Sequence, residues 1–394
     1  MCTRIADLSE RFYEQMVQDR RHFHMYPEIS YKEYQTAKYA CERLSSVGIN
    51  YSYPLGENGI LARVTGSLPG PRLAFRADMD ALKLEEKSHA EYRSKHADAM
   101  HACGHDFHTA ALLSFAESVH EYRDKLYGEV VFIFQHAEEV GPGGAISMIR
   151  DGCLENVDKI YSAHVDSGID VGKITVKDGI ASGSNIIFRA KIQGVGGHSA
   201  KPAGTVDSLL TACQCVCAIH TVAGRNINPE EAAAINIGYI NSGSARNIIC
   251  HEAFFGGMVR SYGFDVCKYV MSRIEEIISG VCIANGAKYE LQVEHGYPAM
   301  INSSHEVEVV FHAVNSFTAF SAVEGDVSFG GEDFSYYLEN IPGCMFKVGI
   351  RNEEKGMIYA HHHPSFDGDE RGLKGIFEAF WAIYLAENGL DGLS

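Results

Sequence analysis

The chain has 394 residues, which is too long for one ordinary hydrophobic core, so we expect two domains. Hydrophobic residues make up 46% and charged residues 22%, values typical of a soluble globular protein. The formal net charge of -17 argues against nucleic acid and anionic membranes as partners, because an acidic surface repels both.

The expected compartment is the cytoplasm. No uninterrupted apolar run approaches the ~20 residues that a bilayer requires. The start, MCTRIADLSE, lacks the apolar segment of a signal peptide. The 11 cysteines of such a chain are expected to be reduced thiols, with one of them a candidate metal ligand.

The first part of the chain alternates between helices and strands. Helical periodicity predicts a helix at 5–22 and a second one from Ser30 to about Gly48, where Ser30 and Glu33 have the spacing of a capping box. The later predicted strands are 59–64, 72–78, 129–135 and 159–165, and the later predicted helices are about 109–122 and 144–151. This alternation is typical of an α/β domain with a largely parallel sheet.

The middle third has a different order of elements. Its pattern predicts strand 184–194, helix 206–224, strands 233–240 and 253–261, helix 264–285 and strand 288–295. The order β-α-β-β-α-β is the ferredoxin-like arrangement. We therefore expect an inserted domain at 183–297, between two parts of a first domain at 1–182 and 298–394.

Potential metal ligands are concentrated at a few places. The stretch MHACGHDFH (100–108) holds Cys103 and His105 ahead of a helix, and Glu138-Glu139 and His164 lie at the ends of predicted strands. In an open α/β sheet, residues at the carboxyl ends of strands converge. Thiolate, imidazole and carboxylate together suit Zn²⁺ and other first-row divalent ions. More than four ligands with acidic members indicate two metals bridged by a water, which can hydrolyse an unreactive amide.

Simpler interpretations remain open at this point. The loop around Cys103 could be a structural zinc site or carry a reactive cysteine. A pair of glutamates is usually a solvated surface, although Glu138-Glu139 follows the apolar run VVFIF directly. The run His361-His362-His363 is the weakest signal, because exposed histidine runs occur by chance.

The ordered motifs resemble the dinuclear metallopeptidases related to aminoacylase, in the branch of hippurate hydrolase and auxin-conjugate amidohydrolase. The resemblance covers nearly the whole chain. Its motifs are FRADMDAL (75–82), MHACGHDFHTAAL (100–112), QHAEEVGPGGAISMIRDG (135–152), GVGGHSAKP (194–202), SARNII (244–249), GGEDFSYY (330–337) and HHPSFDGDE (362–370). It implies a zinc-exopeptidase-like catalytic domain with a mixed, largely parallel sheet, and an inserted ferredoxin-like α+β lid that carries the dimer contact.

The resemblance implies a set of metal ligands for two divalent ions, with Zn or Mn expected and Co or Ni also compatible. The implied ligands are Cys103, His105, Glu139, His164 and His362. A bridging Cys103 thiolate would explain why five residues suffice for two ions. His361 and His363 are then neighbours rather than ligands.

The resemblance also implies roles in the reaction. Glu138 would be the general base that takes a proton from the metal-bridging water and returns it to the leaving amine. His198 would stabilise the oxyanion, and Asn247 and Arg260 would hold the free carboxylate of the substrate. Asp80 would orient an imidazole ligand.

Adjacent strand residues point in opposite directions, so the two glutamates need a turn to play different roles. We expect that turn at Gly141, Pro142 and Gly143.

The implied activity is metal-dependent hydrolysis of N-acyl amino acids by a homodimer, with no nucleic acid or membrane partner. One alternative is a dipeptidase or an aminobenzoyl-glutamate hydrolase, which would share the sheet and the metals. A second is a catalytically silent metal-binding protein, and a third is thiol catalysis by Cys103. Departures from the family pattern, such as Lys83 after DAL and Cys250 after NII, concern the substrate pocket rather than the ligands.

Overall fold

A computed structural model describes residues 4–390 of the chain. The chain divides into two compact units. Unit 1 comprises residues up to 181 together with 301–326 and the segment from 333 onwards, and unit 2 comprises 182–300 and 327–332. The short segment 327–332, which the sequence analysis assigns to the first domain, belongs with unit 2, because Gly183 and Arg260 donate hydrogen bonds to the carbonyls of Ser328 and Phe329.

Unit 1 is built from alternating strands and helices. Its strands are β1 (Tyr51–Leu55), β2 (Gly59–Thr65), β3 (Leu68–Asp78), β4 (Tyr127–Gln135), β5 (Lys159–Asp170) and β6 (Lys173–Val176), and later in the chain β15 (Ser321–Glu324) and β16 (Gly343–Arg351). Its helices are α1 (Ile5–Met25), α2 (Tyr34–Ser46), α3 (His105–Tyr122), α4 (Gly144–Arg150), α8 (Ser304–Phe317), α9 (Ser335–Leu338) and α10 (Arg371–Glu387). The short strands β7 (Gly179–Ser182) and β14 (Met300–Asn302) end and begin the two main segments of this unit.

The other eight strands of unit 1 form one sheet in the order β1-β2-β4-β3-β5-β16-β6-β15, and β7 pairs with β14 in a separate two-stranded sheet. The four central strands β4, β3, β5 and β16 run parallel to one another, whereas β1, β2 and β6 are paired antiparallel at the sides. The prediction of an α/β fold with a mixed, largely parallel sheet is confirmed. The apolar runs such as VVFIF are buried because the central strands of a parallel sheet are covered on both faces.

Helices α1, α3, α8 and α10 cover one face of this sheet and share its core. The rings of Phe75 on β3, Phe115 on α3 and Phe380 on α10 lie 4.9–5.5 Å apart in this core. Trp381, the only tryptophan of the chain, is fully buried beside them and donates its indole N–H to Ser118. Helix α3 is therefore held rigidly against the sheet at the point where its first turn enters the candidate site.

The capping box predicted for the second helix is wrong. The helix begins at Tyr34, and Ser30 lies four residues earlier, where its hydroxyl donates to a carboxylate oxygen of Asp80. Glu33 occupies the N-cap position but makes no capping hydrogen bond with its side chain. Instead, Glu28 accepts the backbone N–H groups of Gln35 and Thr36.

Unit 2 contains β8 (Ser184–Gln193), β9 (Gly197–His198), α5 (Ser208–Ile219), α6 (Thr221–Arg225), β10 (Ala233–Ser242), β11 (Ile248–Ile249), β12 (Glu252–Ser261), α7 (Phe264–Asn285) and β13 (Lys288–His295). Its main sheet is antiparallel in the order β10-β12-β8-β13. Helices α5 and α7 pack on one face of this sheet around a separate core that includes Phe188, Phe255 and Ile274. The elements follow one another as β-α-β-β-α-β.

Among residues 4–390, no helix combines the length and the apolarity that crossing a membrane requires.

Candidate active site

The candidate site lies at the carboxyl ends of the central strands of unit 1. Strand β3 ends at Asp78, and β4 ends at Gln135, just before Glu138 and Glu139. Strand β5 is longer than predicted, and His164 lies within it, two residues beyond Ser162, the last residue paired with β3. This is the edge of a parallel sheet at which ligands gather in open α/β folds.

The loop before α3 approaches β5 very closely. Gly104 has a φ of 92°, and a Cβ atom there would lie 2.2 Å from a methyl group of Val165. Only glycine fits such a position, because it adopts the left-handed backbone conformation readily and has no Cβ atom to clash with Val165. The turn brings Cys103 to β5, where its Sγ atom is 3.5 Å from Nε2 of His164. It also starts the helix at His105, four residues earlier than predicted.

The five residues that the sequence predicts as ligands lie together as two groups that share Cys103. Cys103, His105 and His164 form one group, and Cys103, Glu139 and His362 form the other, with donor atoms within 4.8 Å of one another in each group. A third group joins His105, Glu138 and Glu139. One sulfur thus belongs to both groups of donors, so these five residues would suffice to hold two metal ions.

Hydrogen bonds from the opposite side orient the histidines. Nδ1 of His105 is 2.9 Å from the carbonyl of Asp80, and Nδ1 of His164 is 2.6 Å from the carbonyl of Val165. Because Nδ1 donates to a carbonyl in each ring, Nε2 is the nitrogen with the lone pair for a metal. Asp80 thus orients an imidazole through its backbone oxygen, and its carboxylate lies 3.3 Å from the same Nδ1.

The backbone turns between β4 and the glutamate pair at Ala137. This residue has a φ of 53°, which is uncommon for a residue with a side chain. One turn therefore precedes the glutamates at Ala137. The expected turn at Gly141, Pro142 and Gly143 is also present, and there the N–H of Gly143 donates to the carbonyl of Val140. Asp80 then accepts the N–H groups of both Glu138 and Glu139 at 3.0 Å, so one carboxylate fixes the two residues after the turn.

The charge of the site favours a cation. Burial lowers the pKa of His105, but the carboxylates of Asp78 and Asp80 outweigh this effect and raise it to about 10. Burial raises the pKa of the Cys103 thiol well above its usual range, and Glu139 and Glu138 raise it further. The protein alone therefore disfavours the thiolate that thiol catalysis requires, whereas a metal ion stabilises that thiolate.

The donor atoms fit metal ions for a further reason. Nε2 of His105 is buried and has no hydrogen-bond partner in the structure. Such an atom is costly unless something binds it. Sulfur, imidazole nitrogen and carboxylate oxygen at one buried place are ligands for first-row divalent ions. The residues thus suit metals both in chemistry and in their incomplete hydrogen bonding.

His108 supports the site without joining the ligands. Its Nδ1 lies 2.6 Å from Asp78, and its Nε2 accepts the N–H of Val165 at 2.8 Å. Burial lowers the pKa of His108 to about 4, which keeps Nε2 an acceptor and fixes the backbone beside His164. Asp78 is the first aspartate of the motif FRADMD, and that motif does not by itself indicate this role.

The triple histidine contributes through its middle residue. His362 has a φ of 63° and donates its N–H to the carbonyl of Ala102, which brings it beside the Cys103 loop. Its Nε2 is 3.4 Å from a carboxylate oxygen of Glu139. The ring of His361 lies 5.3 Å from that of His164, and the ring of His363 stacks on Tyr359 at 4.5 Å.

The three predicted substrate-binding residues lie in unit 2. His198 is on β9 and is paired with Ile248 on β11, and the carbonyl of Asn247 accepts the N–H of Ser199. His198 and Asn247 are therefore neighbours, and both are exposed. Arg260 lies elsewhere, on β12, and donates to the carbonyl of Phe329.

Residues 74–380 match the model of the peptidase family M20/M25/M40. The chain belongs to this family. The match spans both units and all of the ligand candidates, and it confirms the resemblance found from the motifs. The chain is an amidohydrolase of a family whose hydrolases work with bound metal.

Relatives of known description show the range of the family. The N-acyl-L-amino acid amidohydrolase of Geobacillus stearothermophilus is 37% identical over 284 residues, which cover 72% of this chain and 76% of that enzyme. Thermostable carboxypeptidase 1 of Saccharolobus solfataricus is 37% identical over 362 residues, which cover 91% and 92%. The crystal structure of the Bacillus subtilis YXEP protein, described as a dinuclear metal-binding peptidase of family M20, is 29% identical with a TM-score of 0.82, over 97% of this chain and 99% of that one.

Proposed function

We propose that this chain hydrolyses the amide bond of N-acyl amino acids, with two divalent metal ions held by Cys103, His105, Glu139, His164 and His362. The observation that carries the proposal is the position of Cys103 in both groups of donor atoms, with Glu138 beside them. The name of the Geobacillus relative supports the substrate class. Zn²⁺ and Mn²⁺ are the expected ions, and Co²⁺ and Ni²⁺ suit the same donors.

In this proposal Glu138 acts as the general base. Its backbone is fixed by Asp80, and a carboxylate oxygen lies 4.0 Å from Nε2 of His105. When bound, the two ions polarise the amide carbonyl and lower the pKa of the attacking water. Glu138 takes the proton of that water as it attacks and then delivers the proton to the departing amine.

The remaining roles fall to unit 2. His198 would donate to the oxyanion that develops on the amide oxygen, and Asn247 and Arg260 would bind the free carboxylate of the amino acid. A cytoplasmic homodimer is the state that we propose for the enzyme, in line with the expectation from its motifs.

The proposal is tested by amino-acid release from N-acetyl, N-benzoyl and longer N-acyl amino acids, with metal content measured on each sample. We expect release from the metal-loaded protein and none after chelation, with recovery when metal returns. The length of the preferred acyl group would then describe the acyl pocket. A protein that carries two metals and releases nothing from the whole panel would contradict the proposed function.

The carboxypeptidase relative favours a second candidate, in which the acyl group is a peptide. The hydrolysed amide bond, the metal ions and the free carboxylate of the substrate would be the same as for an N-acyl amino acid. N-blocked and free dipeptides added to the panel separate the two candidates. Faster turnover of peptides than of every simple N-acyl amino acid would assign the chain to the peptidases.

Arg260→Ala is expected to raise KM for N-acyl amino acids about 10- to 100-fold, the value of a charge-assisted hydrogen bond. A matched amide without the carboxylate should be hydrolysed as by the wild type. Arg189→Ala, on the neighbouring strand β8, is the control, because Arg189 is an exposed arginine of the same sheet. An equal loss on both substrates would show that Arg260 does not bind the carboxylate.

A further inference from the structure

The turn that presents the glutamate pair is held by a carboxylate that lies far away in sequence. Glu33 is fully buried, and its Oε1 atom accepts the N–H of Ala137 at 2.8 Å. The same oxygen accepts the N–H of Tyr31 at 2.9 Å, and Oε2 accepts an amide hydrogen of Asn58 at 3.2 Å. A buried carboxylate with these three donors is fixed from both of its oxygens.

The residue that Glu33 holds is a strained one. Ala137 has a φ of 53°, and the left-handed conformation is unfavourable for a residue that carries a Cβ atom. Such conformations persist only where surrounding contacts impose them. The hydrogen bond from Ala137 to Glu33 is a contact of this kind, because it fixes the peptide plane between His136 and Ala137, on the N-terminal side of the strained residue.

Glu33 and Asp80 together accept hydrogen bonds from three consecutive backbone N–H groups. Glu33 accepts the first, from Ala137, and Asp80 accepts the next two, from Glu138 and Glu139. Asp80 can hold its two amides only if the chain has already turned at Ala137. The direction of the Glu138 side chain thus depends on both carboxylates.

We propose that Glu33 is a positioning residue for Glu138, which it aims by holding Ala137 in the left-handed conformation. The inference rests on the proposed function, since it concerns the base of that reaction. An ordinary helix-capping role does not account for Glu33. It stands at the N-cap of α2 without a capping hydrogen bond from its side chain, and Glu28 supplies that bond instead.

Two variants separate the acceptor from the rest of the side chain. Glu33→Gln keeps an oxygen that can accept both N–H groups, and we expect it to retain most of kcat. Burial and the nearby Asp80 raise the pKa of Glu33 to about 7, so its neutral form is accessible near neutral pH. Glu33→Met has a similar length and no acceptor, and we expect kcat to fall about 100-fold, as for a displaced catalytic group, with KM little changed.

The decisive variant adds Ala137→Gly to Glu33→Met. Glycine adopts a positive φ without the penalty of a side chain, so it should restore kcat about 5- to 30-fold, the factor to which that penalty corresponds. Glu28→Met is the matched control. It removes a carboxylate that caps α2 and should lower the melting temperature of the protein without changing kcat.

Three results would overturn the inference: equal damage from Glu33→Gln and Glu33→Met, a failure of Ala137→Gly to restore kcat, or a loss of kcat in Glu28→Met. The failure of the proposed function is a different result, because the wild type itself would then release no amino acid. In that case the coupling between Glu33 and Ala137 is still measured by a double-mutant cycle. Its four melting temperatures are those of the wild type, Glu33→Met, Ala137→Gly and the double variant. Non-additive melting temperatures would support the hydrogen bond, and additive ones would refute it.

Discussion

Glu138→Gln is expected to lower kcat for N-acyl amino acids about 10²- to 10⁴-fold, the range that a general base contributes. Glutamine has the same shape but cannot take the proton of the attacking water. Glu138 is not among the residues of the two groups that share Cys103, so both metals should stay bound. The measurement is steady-state kinetics beside metal content on the same preparation, with circular dichroism to confirm the fold.

Glu139→Gln is the matched control, because it makes the same chemical change one residue further along the chain. Glu139 lies in one group with Cys103 and His362, so the main effect of this variant should be a lower metal content. Added metal should then restore part of its activity, whereas it should not restore Glu138→Gln. Loss of metal from Glu138→Gln would indicate that Glu138 is a metal ligand and Glu139 the base. An unchanged kcat in Glu138→Gln would exclude Glu138 as the base.

The grouping of the proposed ligands could be predicted from the sequence because most of them lie near the ends of regular elements. A parallel sheet brings the carboxyl ends of its strands to one edge, so Glu139 and His164 are expected at the same edge once the strands are recognised. The compact motif around Cys103 and His105 needed no long-range information. The proposal of His362 required the family resemblance, since nothing in a run of three histidines indicates which of them is the candidate ligand.

The groups that support the ligands could not be predicted in the same way. Ala137 adopts a left-handed conformation that no local pattern indicates, because glycine or asparagine would be the expected residue there. Glu33 had the spacing of a capping box, and that local explanation concealed its contact with a residue 104 positions away. Long-range hydrogen bonds of buried carboxylates are determined by tertiary packing, which a single sequence does not reveal.

A second large effect is expected from Arg20→Met, which should destabilise unit 1 by about 3–5 kcal/mol, the cost of breaking a buried ion pair. Arg20 is fully buried on α1. Its guanidinium donates to Asp106 at 2.8 Å and to Asp367 at 2.7 Å. Methionine fills a similar volume but would leave both carboxylates without their main cation. Denaturant unfolding followed by the fluorescence of Trp381 reports on this unit, because Trp381 is the only tryptophan and lies in its core.

Arg21→Met is the matched control, since Arg21 is the next residue of the same helix. Its side chain is 43% exposed and pairs with Glu370, so its loss should cost only about 0–1 kcal/mol, as for surface ion pairs. The difference between the two variants isolates burial as the cause. Equal losses would show that the charge of Arg20 is not what stabilises the unit.

The position of Arg20 also predicts an effect on the metals. Asp106 directly follows His105 in the first turn of α3, and Asp367 comes five residues after His362, so one guanidinium links two segments that carry candidate ligands. Arg20→Lys keeps the charge but not the planar fork that serves both carboxylates at once. We therefore expect Arg20→Lys to bind metal more weakly than the wild type while it unfolds at a higher denaturant concentration than Arg20→Met. Metal affinity equal to that of the wild type in both variants would mean that the two segments keep their positions without Arg20, and that its role is confined to the stability of α1 against the sheet.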